Sequence, residues 1–310
     1  MEERRQGLLA ILGANTIFGL NIPVTKALME QWMTPMGYTV TRMFFGAAIF
    51  WLIGNFVKDI KVAKKDFVII ILGGLMGFIG TQFLFSQALQ YTTPVIFSLI
   101  MALTPVLVLL LSAFFLKEAL TTTKIFGIVI SVLGASLIIL LSGFNGEQAS
   151  NNTLGVLFAV LCAVSYAGYL VLTRKISIKY KPVTIAKWMF LVSALVAVPF
   201  SFSALQNQKI YSESANISAY SFLIFALIFS TTIAFFLMPY ALKRLEASAV
   251  SVFMNLQPVV ASIVALIVGQ DILTWDKPLA IIFVILGVYI VSSNRIPFLS
   301  KKIKFNKKKI

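Results

Sequence analysis

The residue types that carry most protein chemistry are nearly absent from this sequence of 310 residues. It contains no histidine, and its single cysteine, Cys162, lies inside an apolar run. Histidine is the commonest general base and metal ligand, and zinc sites and Cys/His nucleophile pairs need histidine or several cysteines. The sequence therefore excludes such sites, and we expect no catalytic residue, no metal ion and no cofactor.

The eleven acidic residues avoid the interiors of the apolar segments. Glu30, Asp66, Glu118, Glu246 and Asp271 stand at segment ends, and the others are in loops or tails. The relay of buried Asp, Glu and His that is usual in proton-coupled carriers is therefore missing. For a carrier, this pattern predicts a facilitator or exchanger whose direction follows the substrate gradient.

Neutral polar residues do occur inside the apolar segments. Such residues are expensive in lipid and normally face the interior of a helix bundle. Each one alone is explained by an interhelical hydrogen bond, which contributes only about 1 kcal/mol. As a set they are our candidates for a substrate cavity: Asn15, Asn21, Gln82, Ser86, Ser98, Thr104, Tyr166, Tyr169, Thr231, Asn255 and Gln257.

Two basic residues also lie within apolar segments. Lys26 is only about four residues, or 6 Å, from a segment end, so its side chain is expected to snorkel to the interface. Arg42 lies deeper, at roughly 10 Å. It either snorkels as well, or it meets an anionic substrate group or a carbonyl at a helix end.

Two prolines, Pro105 and Pro258, stand in the middle of apolar segments. Proline removes a backbone donor and clashes with the carbonyl four residues earlier, here that of Met101 or Met254. Each is either a tolerated kink or one of a pair of bends that shape a cavity and expose carbonyls to it.

Glu118 and Asp271 stand at helix junctions, each before a short turn and a threonine. Capping or anchoring the hairpins that follow is the role that this position favours, with gating as the alternative.

The elements that would position these residues are membrane-spanning helices. Hydrophobic residues make up 59% of the chain and charged residues 12%, which is more apolar surface than a soluble core hides. A span needs about 20 apolar residues. The sequence predicts ten, at 8–30, 35–57, 67–90, 94–116, 122–142, 153–173, 184–205, 219–242, 247–268 and 277–294. The first leads directly into the second and lacks a clear cleavage site, so we interpret it as an uncleaved span.

The basic residues predict the orientation of these spans. With both termini on one side, that side holds 22 of the 26 basic residues, including those of the tail KKIKFNKKKI, while the other side holds only Lys209 and Lys277. Basic residues concentrate in cytoplasmic loops, so both termini are expected in the cytoplasm.

The chain also repeats itself. A shift of 153 residues aligns LTPVLVLLLSAFFLKEALT at 103–121 with LQPVVASIVALIVGQDILT at 256–274, and a shift of 148 relates the starts of the halves. The halves are 1–150 and 151–310, joined by the polar segment 143–153. Because five helices is an odd number, the second half must enter the membrane from the opposite side, which makes an inverted repeat.

These motifs resemble the EamA domain of the drug/metabolite transporter superfamily. The likeness is in Leu103-Thr-Pro with Lys117-Glu-Ala-Leu-Thr, in 240–249 with Leu256-Gln-Pro-Val-Val, and in the first-helix elements 15–19 and 163–167. Phe18 replaces the family's usual tryptophan, and Asp271 its usual glutamate. The resemblance implies two EamA repeats of five helices, a central cavity lined by helices one, three, four, six, eight and nine, and export of small metabolites, often amino acids.

The expected function is a transporter that exports or exchanges small metabolites, amino-acid-like or related organic solutes, by alternating access. The alternatives are a channel, a non-transporting membrane sensor and, less favoured, a membrane-embedded enzyme using Ser–Lys chemistry at Lys26. Expected partners are a small-molecule substrate and membrane lipid, not nucleic acid, and the expected location is the bacterial plasma membrane.

Overall fold

A computed structural model describes residues 2–57, 61–91, 97, 100–141, 152–206, 208–211, 216–267 and 276–292, and contains no β-strand within these ranges. In the first half, α1 is Glu2–Gln31, α2 is Pro35–Asn55 and α4 is Thr104–Phe115, followed by α5 at Thr122–Leu141. The helix α3 consists of Lys64–Gly74, a π-helical turn Leu75–Gly80, and Thr81–Tyr91.

The second half follows the same order. Helix α6 is Asn152–Ser177, α7 is Pro182–Leu205 and α10 is Asp276–Ser292. Helix α8 consists of Ile217–Phe225, a π-helical turn Ala226–Ile233, and Ala234–Arg244. Helix α9 consists of Ala247–Val252, a 3₁₀ turn Phe253–Asn255, and Leu256–Ile267. A short 3₁₀ turn, Lys209–Tyr211, stands between α7 and α8.

Local sequence signals begin several of these helices. Thr34 caps α2, because its hydroxyl oxygen accepts a hydrogen bond from the Gly37 amide at 3.1 Å, and Pro35 occupies the first turn, where its missing N–H costs nothing. Asn216 caps α8 in the same way, through the Ala219 amide at 2.9 Å. The polar interruptions between apolar segments are therefore helix starts.

The helices correspond in order to the ten predicted segments. Six of them, α1 to α3 and α6 to α8, are long and apolar enough to cross a membrane, whereas the apolar parts of α4, α5, α9 and α10 are shorter. The described chain is thus an all-α, multi-pass membrane protein. Crossing by all ten helices stays a prediction.

The helix pairing has the symmetry expected of a repeat. Helix α2 packs on α7 and α5 packs on α10, and each pair joins equivalent helices of the two halves. The contact of α3 with α6 matches that of α8 with α1, and the contact of α4 with α6 matches that of α9 with α1. Exchanging the halves therefore reproduces the main contacts.

Small residues allow the closest of these approaches. A Cβ at Gly287 of α10 would lie 2.5 Å from the carbonyl oxygen of Gly127 in α5, and a Cβ at Gly77 of α3 would lie 2.3 Å from the ring of Tyr169 in α6. Neither distance is compatible with a side chain. Both helix pairs need glycine where they touch.

Irregular backbone occurs at equivalent places in the halves. The π turns of α3 and α8 both end where the 153-residue shift predicts, at Gly80 and Ile233. The helical backbone is also interrupted before Thr104 and at Phe253–Asn255, just upstream of Pro105 and Pro258. Such interruptions are rare in α-helices and are common at functional sites.

Candidate functional site

The structure places most cavity candidates in the interior of the bundle. Six are buried, namely Asn15, Asn21, Thr104, Tyr169, Thr231 and Asn255. Gln82, Tyr166 and Gln257 are partly buried. The backbone of Ser86 lies in α3 and that of Lys26 in the last turns of α1, but their side chains are outside the described part, as are Ser98, Asp271, the segment 142–151 and the tail. The candidates do not form one cluster.

One pair joins the first helix to the ninth. The Gln257 amide nitrogen donates to Asn15 Oδ1 at 2.8 Å, and the Asn15 amide nitrogen donates to the Ile11 carbonyl at 3.0 Å. Asn255, two residues before Gln257, donates instead to Ser131 Oγ of α5 at 3.1 Å. Residues just before Pro258 thus connect α9 to two helices of the first half.

Equivalent residues before the two prolines behave differently. Pro105 occupies the first turn of α4, and the Thr104 hydroxyl donates to the Met101 carbonyl at 2.6 Å, the carbonyl that the proline deprives of its usual partner. Gln257 is the repeat equivalent of Thr104, yet it reaches across to Asn15. The first proline break is therefore satisfied within its own helix, whereas the second offers its polar side chain to a neighbour.

A second group surrounds Arg42. The side chain of Arg42 is buried, with 4% of the residue exposed, so it does not snorkel. Its Nε donates to Thr231 Oγ1 at 2.8 Å and its Nη2 donates to Ser230 Oγ at 3.1 Å. Both hydroxyls belong to the π turn of α8. The Thr231 hydroxyl in turn donates to the Ala226 carbonyl, five residues earlier.

Aromatic rings complete the surroundings of this guanidinium. Its carbon lies 5.2 Å from the centroid of the Tyr38 ring and 5.9 Å from that of Phe235. The Tyr38 hydroxyl lies 3.0 Å from Thr25 Oγ1 and accepts a hydrogen bond from the Asn21 amide nitrogen at 3.3 Å. Asn21, Thr25, Tyr38 and Arg42 therefore form a polar layer between α1, α2 and α8.

A phenylalanine cluster lies beside this layer. The Phe78 ring centroid is 4.5 Å from that of Phe190 and 4.5 Å from that of Phe235. Phe18, in the aromatic element of the first helix, meets Phe235 edge-on at 5.5 Å. The rings come from α1, α3, α7 and α8, so they fill the space between the two halves.

No negative charge faces Arg42 within the described part of the chain. Taking an ion out of water costs several kcal/mol even after relaxation. Each cation–π contact stabilises the charge by about 0.5–2 kcal/mol, and each hydrogen bond to a charged group contributes about 1.5–3 kcal/mol. The hydroxyls and rings therefore offset much of the cost, but the charge itself stays unneutralised.

One end of the bundle is joined by charged groups, and we call it the charged end. The Glu118 carboxylate accepts hydrogen bonds from the Ala247 amide at 2.8 Å and the Ser248 hydroxyl at 2.6 Å, so it caps the start of α9. Lys124 lies 3.8 Å from Glu118 and 2.8 Å from Glu246. The sequence suggested that Glu118 anchors its own hairpin, and the structure adds a cap across to the other half.

The backbone conformation of Lys117 sets the direction of the Glu118 side chain. It has a positive φ of 56°, a left-handed conformation that non-glycine residues rarely adopt. The Glu118 amide then donates back to the Ser112 carbonyl of α4 at 3.2 Å. The chain turns sharply enough after α4 to aim the next side chain at α9.

Asp66, at the start of α3, makes a second contact at the charged end. Its carboxylate accepts from Lys179 at 2.9 Å and from the Tyr180 hydroxyl at 2.9 Å, both in the α6–α7 connection. The Arg174 guanidinium donates to the Leu242 carbonyl near the end of α8. Asp66 and Glu118 thus each bind the first half to the second.

The opposite end, which we call the neutral end, is joined by uncharged groups. Gln208 accepts from the Thr34 amide at 2.6 Å and donates to the Thr34 hydroxyl at 3.0 Å. The Ile210 amide donates to the Trp32 carbonyl at 3.1 Å. These contacts join the α1–α2 connection to the α7–α8 connection. They too cross from one half to the other.

Sequence reasoning missed Tyr38, Ser230 and Gln208. Tyr38 stands near a span end, where tyrosine is common at a membrane interface, and Ser230 is a small residue in an apolar run. Gln208 lies in a polar connection. One feature of the sequence is consistent with the contact of Gln208. Gly37 has no side chain at the point where the glutamine approaches, and a Cβ there would lie 2.4 Å from Gln208 Cδ.

The comparison with known families decides what kind of protein carries these features. A model described as the EamA-like transporter family matches the chain twice, over residues 5–140 and 153–293. The chain belongs to this family. The resemblance stated from its motifs is thereby confirmed. Membership of the EamA family and the names of its relatives indicate a membrane transporter.

Individual relatives of this EamA protein agree in length. The uncharacterized transporter YyaM of Bacillus subtilis is 26% identical over 286 residues, which is 92% of either chain. An uncharacterized transporter of Archaeoglobus fulgidus is 27% identical over 280 residues, covering 90% of this chain and 96% of the relative. A solved crystal structure with 20% identity superposes with a TM-score of 0.74 over 94% of this chain and 95% of the other, which supports the fold.

Proposed function

We propose that this EamA protein exports or exchanges small metabolites, amino-acid-like or related organic solutes, by alternating access between its two halves. Family membership makes it a transporter, and one observation supports the mechanism. Backbone interruptions occur at equivalent places of both halves: the π turns lie near the middle of α3 and α8, and the other two breaks lie just upstream of Pro105 and Pro258. Transporter folds built from inverted repeats bind their substrates at such discontinuous helices.

The cross-half contacts at the two ends fit the same mechanism. Glu118 and Asp66 join the halves at the charged end, and Gln208 joins them at the neutral end. Alternating access requires the halves to part at one end while they stay joined at the other. Contacts of hydrogen-bond type at each end can be made and broken without unfolding a helix.

We place the protein in the bacterial plasma membrane with both termini in the cytoplasm, so that the charged end faces the cytoplasm. Reporter fusions after residues 62, 180 and 310 should then report cytoplasm, and fusions after 148 and 212 the outside. A cytoplasmic signal from the fusion after 148 would refute the arrangement of five plus five inverted helices.

The direct test of transport is an untargeted comparison of the metabolites retained by cells with and without the protein. We expect a small set of organic solutes to be depleted from cells that contain it. In liposomes, a purified protein should move such a solute down its gradient without an imposed pH difference, because no described carboxylate lies in the middle of a helix. Identical metabolite profiles in the two strains would refute the function.

The cavity has its own test. Cysteine introduced at Thr104, Asn255 or Gln257 should react with a water-soluble thiol reagent, and substrate should protect it. Cysteine at Ala265, further along the same helix as Gln257, is the control and should stay unreactive. Equal inertness at all four positions would leave only a packing role for these residues.

A further inference from the structure

Arg42 is a positive charge held in the interior of the bundle at the boundary of the two halves. It lies on α2 of the first half, and its hydroxyl partners Thr231 and Ser230 lie on α8 of the second. Arginine stays protonated in proteins, so burial does not remove its charge. With 4% of the residue exposed, neither lipid headgroups nor bulk counter-ions neutralise it.

The two hydroxyls bind two of the five N–H donors of the guanidinium. Its Nε and Nη2 bind the two hydroxyls, while no described residue accepts a hydrogen bond from Nη1. The planar fork of an arginine matches the two oxygens of a carboxylate. The Ser230 hydroxyl accepts from Arg42 and donates its own hydrogen to no described group, so it is a second donor available to an anion.

A further unsatisfied polar atom lies in the same layer. Asn21 is buried, and its Oδ1 has no hydrogen-bond partner among the described residues, although its amide nitrogen bonds Thr25 and Tyr38. Whichever way round this amide stands, one of its polar atoms is left without a partner. Buried polar atoms in native proteins normally have one, so the gap points to a group that binds there.

From this geometry we propose that Arg42 binds a carboxylate of the transported solute. The inference rests on the proposed function and adds the chemical class of the substrate: a small organic monoanion, or a molecule with one carboxylate aimed at this layer. One unneutralised positive charge is matched by one negative charge, which favours a carboxylate over a doubly charged phosphate ester. The carboxylate reaches Arg42 and Ser230, and Asn21 bonds another polar group of the same solute.

The site also suggests how the solute affects the two halves. Arg42 and Ser230 come from different halves, so a carboxylate bound to both bridges them. The guanidinium contacts hydroxyls of the π turn and the rings of Tyr38 and Phe235. None of these groups carries a negative charge, which a bound carboxylate would supply.

The test compares cells that contain the wild-type protein, Arg42→Gln, Arg42→Lys or the control Arg5→Gln at matched expression. Arg5 is exposed and pairs only with Glu2 in the described chain, so its loss should change nothing. Solutes depleted by the wild-type protein should carry a carboxylate. Arg42→Gln should weaken their depletion by about tenfold or more, the ratio that corresponds to 1.4 kcal/mol of lost binding. Arg42→Lys should lie in between, since it keeps the charge and loses the fork.

A second experiment uses purified protein in liposomes, with the solute found in cells and its carboxamide as probes. The wild-type protein should carry the carboxylate and discriminate against the carboxamide, and Arg42→Gln should lose this discrimination. Equal transport of both probes by the wild-type protein would overturn the inference. So would carboxylate transport by Arg42→Gln at the wild-type rate.

A third measurement needs no substrate and separates binding from a structural role. Removing an unneutralised buried charge should leave the melting temperature of Arg42→Gln equal to or above that of the wild type. A fall of several degrees would mean that Arg42 serves to hold α2 on α8, and would overturn the inference. Absence of any metabolite change with the wild-type protein would instead refute the proposed function, which is a different result from a change that persists in Arg42→Gln.

Discussion

The charged and neutral ends of the bundle both join the two halves, but the groups that make the contacts differ. At the charged end, the carboxylates of Asp66 and Glu118 receive hydrogen bonds from the opposite half. At the neutral end, the amide of Gln208 exchanges hydrogen bonds with Thr34. A hydrogen bond to a charged group contributes about 1.5–3 kcal/mol and a neutral one about 1 kcal/mol. The hydrogen bonds of Asp66 and Glu118 are therefore expected to be stronger than those between Gln208 and Thr34.

The difference also concerns how each contact would open. Parting the halves at the charged end uncovers a carboxylate and leaves the first turn of α9 without its cap. Parting them at the neutral end would separate the uncharged groups of Thr34 and Gln208, which water satisfies readily. In the proposed alternating-access mechanism, opening at the neutral end should therefore cost less free energy than opening at the charged end. The following predictions test that ranking from the largest expected effect to the smallest.

Glu118→Ala should have the largest effect. It removes the bonds to Ala247 and Ser248 and leaves a buried cap site empty, since the Glu118 side chain is only 7% exposed. Loss of a cap and of a charged hydrogen bond together should lower the free energy of unfolding by about 2–4 kcal/mol. Thermal unfolding in detergent measures it.

The matched control for Glu118 is Glu246→Ala. Glu246 pairs with the same Lys124, but its side chain is 48% exposed, so its loss should cost less than about 1 kcal/mol. Equal losses from the two variants would show that the cap on α9 does not stabilise the charged end.

Gly37→Ala should weaken the neutral end. The new methyl group would lie 2.4 Å from Gln208 Cδ, so the glutamine must leave Thr34. We expect the free energy of unfolding to fall by about 1–3 kcal/mol, as measured by thermal unfolding in detergent. Gly13→Ala is the control, because its methyl group meets Leu237 at an ordinary 3.6 Å. If both variants had the same free energy of unfolding, the contact of Gln208 with Thr34 would not contribute measurably to stability.

Asp66→Asn should cost about 1 kcal/mol, since it keeps the shape that meets Tyr180 and loses the charge that holds Lys179. Lys179→Met should cost less, about 0.5 kcal/mol or under, because the Lys179 side chain is 54% exposed and Tyr180 still binds Asp66. Chemical denaturation of the two variants ranks them. Equal costs would mean that the ion pair, which both variants remove, contributes more to this contact than the hydrogen bond from Tyr180.

Added salt should have the smallest effect. Raising ionic strength screens exposed ion pairs, so the pair of Lys179 with Asp66 should weaken by a few tenths of a kcal/mol at most. The salt dependence of the melting temperature should therefore be smaller in Asp66→Asn than in the wild type, and unchanged in Gly37→Ala. A salt effect that is the same in all three proteins would come from elsewhere in the chain.

Hydropathy predicted the helical segments well because a span must be long and apolar whatever its neighbours are. Helix α3, for example, runs over 64–91 where 67–90 was predicted. The π turns could not be predicted. Hydropathy depends on which residues are apolar, and it does not indicate whether a backbone hydrogen bond joins residues four or five positions apart. Thr231, which accepts a hydrogen bond from Arg42, lies in the π turn of α8.

The sequence predicted individual residues of the candidate site but not which of them contact each other. Asn21, Arg42 and Thr231 were each identified from a polar type in an apolar run, but their grouping depends on how α1, α2 and α8 pack. Glu118 was assigned to its own hairpin because sequence shows only the next residues, whereas its main partner Ser248 is far along the chain. Asn15 and Gln257 were both candidates, and only the fold makes them a pair.

The two π turns also change the direction of the side chains that follow them. A π turn holds one residue more than the α-helix around it, and every residue beyond it is rotated by about 100°. The turns of α3 and α8 end at positions separated by the same 153 residues that separate Pro105 from Pro258. The rotation therefore ends at equivalent residues of the two halves, although the turn of α8 has eight residues and that of α3 has six. In each half, the residues before and after the π turn thus lie on different faces of the helix than a continuous α-helix would give them.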